Sequence, residues 1–65
     1  MKLKLGRREI EILHYDPITN HAYISYKING TLMFKKEVYC WQDSQNGSFF
    51  KLGSSRFYLT EFVRG

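Results

Sequence analysis

Residues 20–41, NHAYISYKINGTLMFKKEVYCW, constrain this chain most: two runs of β-branched and aromatic side chains flank Asn29-Gly30. Asn and Gly accept the positive φ that a tight reversal needs, and Asn-Gly between such runs is the strongest short-range hairpin signal. A central β-hairpin is the first expectation. Two registers compete for it. A two-residue turn pairs Tyr26 with Met33 and Ser25 with Phe34, which mixes apolar and polar side chains on both faces. A type I turn with Gly30 as the left-handed bulge residue pairs Tyr26 with Leu32 and Ile24 with Phe34. That register collects Ala22, Ile24, Tyr26, Leu32, Phe34, Val38 and Cys40 on one face, because side chains alternate along a strand and a one-residue slip turns them all over. The bulged register is the one expected. Its opposite face carries Tyr23, Ser25, Lys27, Met33, Lys35, Tyr39 and Trp41.

The flanking segments repeat this grammar. Lys2 to Leu5 alternates charged and apolar, Gly6 interrupts, and Arg8 to His14 resumes the alternation with Ile10 and Ile12 facing in and Glu9 and Glu11 out. This reads as a first strand with a glycine break. Residues 15–20, YDPITN, make a turn: Asp16 accepts from the following backbone, Pro17 presets φ, and Asn20 tolerates the left-handed conformation. The charged run Lys35-Lys36-Glu37 suits a bend or bulge in a long, curved third strand. Residues 42–48, QDSQNGS, form an exposed loop, and Phe49 to Leu52 and Arg56 to Leu59 flank Gly53-Ser54-Ser55 as a further hairpin. Leu59, Phe62 and Val63 fall at i, i+3, i+4 with Thr60 available as N-cap, so the chain ends in one helical or 3₁₀ turn that plugs the sheet, or else continues as strand.

Short strands joined as consecutive hairpins, with no long helix-period segment, define an all-β chain. The expected architecture is one domain, 1–65: a small antiparallel meander closing into a partly open SH3-like barrel, with a five-stranded OB-like barrel as second choice. A chain of 65 residues buries only about 60% of its unfolded surface, so each large side chain matters. Five Phe, five Tyr and one Trp supply that bulk.

Little in the sequence points to catalysis. Zinc needs four ligands at close spacings, whereas Cys40 stands with only His14 and His21, both scattered. Cys40 also falls on the expected core face, where thiols are inert. Glu9 and Glu11 share one outer face with no acid–base partner, and the glycines are dispersed turn residues that cradle no phosphate. The expectation is a non-enzymatic protein with no cofactor and no metal. One lone cysteine suits a reducing setting, the basic amino terminus lacks a signal-peptide apolar core, and nothing approaches a membrane span, so a cytoplasmic location is expected.

Ten Lys and Arg against six Asp and Glu, a formal net charge of +4, favour an anionic partner. Tyr23, Lys27, Lys35, Tyr39 and Trp41 on one outer face, flanked by Arg7, Arg8 and Lys36, combine rings that stack on bases with cations that meet phosphates. The leading expectation is a binding module for nucleic acid with low sequence specificity. A competing reading makes Trp41 and Tyr39 core residues folded over an open barrel end. The alternative function is protein interaction, as an adaptor or inhibitor of a larger protein, of the kind a phage or mobile element encodes, or as a homodimer through a sheet edge.

Overall fold

The computed structural model describes residues 1–63 and forms two antiparallel sheets and no closed barrel. The first sheet holds β1 (Lys2–Leu5), β2 (Arg8–Asp16), β3 (His21–Ile28) and β4 (Thr31–Tyr39) in that order. The second holds β5 (Trp41–Asp43), β6 (Gly47–Leu52) and β7 (Ser55–Tyr58), followed by a 3₁₀ turn at Leu59–Glu61. Within each sheet every strand pairs with its neighbour in sequence, as hairpin chemistry dictates.

The glycine at position 6 does not break one strand; it makes a hairpin. Gly6 takes φ 62° and Leu5 pairs with Arg8, so β1 folds back on β2. The turn at 15–20 forms as its residues predict: the Ile18 N–H donates to the Asp16 carboxylate at 2.9 Å, and Asn20 sits at φ 56°.

The central hairpin corrects the expected register. Asn29 and Gly30 take φ 53° and 78°, the paired positive values of a two-residue turn, so Ile28 pairs with Thr31 and Lys27 with Leu32. The ladder then shifts by one, leaving Met33 without a partner, and continues as Tyr26 with Phe34, Ile24 with Lys36 and Ala22 with Val38. The bulge thus sits beyond the turn, not in it and not at Lys35-Lys36-Glu37. It restores the phase that buries Ala22, Ile24, Val38 and Cys40 and half-buries Tyr26 and Phe34, but Leu32 lies before it and stays 46% exposed. Ser25 remains on the outer face yet is buried, flanked across the ladders by the longer Glu11 and Lys35. A second bulge in β2, between Ile12 and His14, ejects Leu13 and lets Tyr15 pair with Ala22.

Cys40 turns the corner between the sheets, its N–H donating to the Asn20 carbonyl at 2.7 Å. One core cluster spans both sheets: Ile10, Ile12, Ala22, Ile24 and Val38 from the first and Cys40 at the corner meet Phe50 from the second and Phe62 beyond it. Phe50 is fully buried, with the Phe57 and Phe62 rings each 5.8 Å from its own. The closing 3₁₀ turn is capped at Tyr58, whose N–H donates to the Glu61 carboxylate at 2.8 Å, and not at Thr60. Phe62 and the half-buried Leu59 plug the core, whereas Val63 is exposed and bridges β1 at Lys2.

Candidate nucleic-acid interface

The outer faces of the two sheets differ in chemistry. On the first, Tyr23, Lys27 and Lys35 face outward as expected, but carboxylates alternate with them: Glu9 pairs with Lys27, Glu11 with Ser25 and Glu37 with Tyr23. Lys2 adds an ion pair to Glu9 at 3.9 Å. This face is close to electrically balanced. Arg7 occupies the tip of the β1–β2 turn. Arg8 and Lys36 do not flank the patch; both line the cleft between the sheets, because Lys36 pairs with the buried Ile24 and Arg8 shares the face of Ile10 and Ile12.

Tyr39 and Trp41 begin a different surface. Both are 44% exposed, so neither is a core plug. Their rings meet edge to face at 5.2 Å, and His21 contacts Tyr39 in the same manner at 5.4 Å. Across the β5–β6 ladder Trp41 stacks on Phe49 at 6.0 Å, and Phe49 meets Tyr58 at 5.1 Å. Residues of one face recur every second position. Phe49 and Lys51 therefore point outward while Phe50 and Leu52 point inward, and Arg56 and Tyr58 flank the inward Phe57.

Two cations sit among these rings. The Lys51 ammonium lies 5.1 Å from the Trp41 ring centroid, and the Arg56 guanidinium 5.1 Å from that of Phe49. Such contacts are worth roughly 0.5–1 kcal/mol at an exposed site and hold the cations against the surface. Asp43 closes one end of the patch. It accepts from the Gln45 N–H and from the Tyr58 hydroxyl, each at 2.9 Å, and these bonds hold its carboxyl below the usual range. It is ionised at neutral pH and places a negative charge at that end of the patch, opposite in sign to Lys51 and Arg56.

Phe49, Lys51, Arg56 and Tyr58 are the members of this surface that the sequence expectation omits. Their signal is the alternation Phe49-x-Lys51 and Arg56-x-Tyr58 about the β6–β7 turn. Among the described residues no group of three or more His, Cys, Asp and Glu is placed to hold a metal, and no helix is long and apolar enough to cross a membrane. No protein-family model, curated protein or solved structure matches the chain.

Proposed function

We propose that this chain is a non-enzymatic binding module that takes single-stranded nucleic acid, with little base specificity, on the outer face of the second sheet. The observation that carries the reading is the unbroken row Tyr39–Trp41–Phe49–Tyr58, at ring spacings of 5.1–6.0 Å, with Lys51 and Arg56 lying on it. Unpaired bases stack on the exposed rings of that row, Tyr39 and Trp41, at about 1–3 kcal/mol each, whatever their sequence, while the buried Phe49 packs between its neighbours. The cations supply the phosphate contacts, and the net charge of +4 adds long-range attraction. We read the two sheets as an opened form of an SH3-like barrel, cornered at Cys40.

Fluorescence anisotropy of labelled single-stranded and duplex oligonucleotides tests this. At low salt the single strand binds better than the duplex, since paired bases keep their faces hidden; equal or absent binding of both removes the reading.

A second reading has its own support. Leu32 and Met33 are exposed, with Met33 at 55%, on the edge strand β4 that ends at Tyr39. They suit a protein partner. The bulge at Met33 and the adjacent Lys35 and Lys36 are devices that blunt strand-to-strand pairing, so such a partner would use side chains and not the backbone edge. Capture from the native host with and without nuclease separates the two: a partner retained after nuclease and at high salt favours the protein.

A further inference from the structure

The two sheets do not cover each other completely. The first has strands of eight and nine residues, whereas the longest strand of the second has six. Part of the first sheet's inner face therefore has no opposing strand. A cleft of about 340 Å³ opens there. Tyr26 and Phe34, stacked at 5.1 Å and 6° from parallel, line its first-sheet side, and Leu52 and Phe57 line it from the second. Ile10, 1% exposed, lines it from the core.

Two cations, Arg8 and Lys36, also line this apolar cleft, and no acidic residue does. Among the described residues the one ion pair within 4.0 Å is Lys2–Glu9, so neither cation has a carboxylate partner. The Lys36 ammonium instead lies 5.1 Å from the Phe34 ring centroid. Lys36 stands between Phe34 and Val38 on the inward register, opposite Ile24, where an apolar side chain would continue the core.

We infer that the cleft is a binding site for a small amphipathic carboxylate, its alkyl or aryl body between the Tyr26–Phe34 pair and Phe57 and its anionic head on Arg8 and Lys36. The volume lies at the lower end of ordinary ligand pockets, about 300–1,000 Å³, which suits a medium-chain or single-ring acid. The charge fits as well. Two cations that pair with no carboxylate of residues 1–63, above apolar walls, favour an anion over a neutral or cationic ligand of the same body, because charge-assisted bonds are about twice as strong as neutral ones. The site lies on the opposite side of the second sheet from Trp41, so it stands or falls independently of nucleic-acid binding.

Octanoate, octanol and octylammonium are titrated into the full chain and followed by ¹H–¹⁵N correlation spectra. Octanoate shifts the amides of Ile10, Tyr26, Phe34, Leu52 and Phe57 and leaves those of Trp41 and Lys51 in place. Octanol binds at least about tenfold more weakly. Lys36→Glu, at an exposed position, offsets the Arg8 charge and abolishes the preference for octanoate over octylammonium. Equal binding of octanoate and octanol would overturn the proposal, reducing Lys36 to a side chain whose stem covers Phe34 while its head seeks water. So would the absence of octanoate shifts up to about 10 mM, or shifts centred on Trp41. The wild-type series alone decides between these outcomes, even if the variant folds poorly.

Discussion

Trp41 stands directly opposite Phe49 in the β5–β6 ladder, the two rings stacked at 6.0 Å and 26° from parallel. Phe49 is buried in that position, yet it faces away from the core. Trp41, Tyr58 and the Arg56 guanidinium cover it. The aromatic surface therefore has a buried keystone with more exposed rings on either side. The rings pack on one another, so displacing one unpacks its neighbours.

The fold depends on the face that Ile24 occupies. Ile24 is fully buried, and Ile24→Asp places an unpaired charge in the core at a cost on the order of 4 kcal/mol or more. A core this small supplies about 3–5 kcal/mol in total. The variant is expected to be unfolded at 25 °C, as read by circular dichroism and amide dispersion. A cooperative thermal transition retained in that variant would contradict the assigned register.

The central turn needs a glycine at its second position. Gly30 sits at φ 78°, with open space where a Cβ would stand, so the penalty of Gly30→Ala is conformational and not steric crowding. It amounts to roughly 1 kcal/mol. A urea titration should show a lower midpoint with unchanged slope. Asn29→Gly, at φ 53°, should cost far less.

Much of the fold is legible in the sequence because Asn29-Gly30, Asp16-Pro17 and Gly53-Ser54 set reversals by local backbone chemistry. The alternation of Ile10, Ile12, Ala22 and Ile24 likewise defines a face. The bulges are not legible. Whether the extra residue lies in the turn or at Met33 depends on which pairing packs Tyr26 against Phe34, a contact across strands that no local pattern encodes. Gly6 deceives for a related reason: a left-handed glycine serves a break and a two-residue hairpin equally. Alternation alone puts Trp41 with Tyr23 and Lys35 on one ribbon, but the corner at Cys40 carries it to the second sheet, beside Lys51 and Arg56. Arg8 and Lys36 lie on the other side from the one expected of them, because cations ordinarily face open water and here they line a cleft.

Asp43 couples stability to acid. Its carboxyl is held below the ordinary value of 3.8, first by the Gln45 N–H and then by the Tyr58 hydroxyl. A folded-state value below the unfolded one contributes stability that is present above the ordinary carboxylate range and lost as pH falls through the folded value. Between about pH 5 and pH 3, the thermal midpoint should fall more in the wild type than in Asp43→Asn. Identical slopes would show that these hydrogen bonds do not act on the ionised form.

Cys40 reports on global opening. The thiol is buried and burial raises its pKa, which suppresses the reactive thiolate. Thiol reagents should label the native chain slowly and the urea-unfolded chain fast. Rapid native labelling would mean that the corner between the sheets opens locally.

The most direct test of the proposed interface is the intrinsic fluorescence of Trp41, the chain's one tryptophan. Titration with a single-stranded oligonucleotide should quench it as a base stacks. If Lys51 and Arg56 are the phosphate contacts, log K should fall against log salt with a slope of roughly −1.4, halved in Lys51→Ala or Arg56→Ala. Binding that leaves Trp41 emission unchanged, or a slope that neither substitution alters, would contradict the assignment of this face.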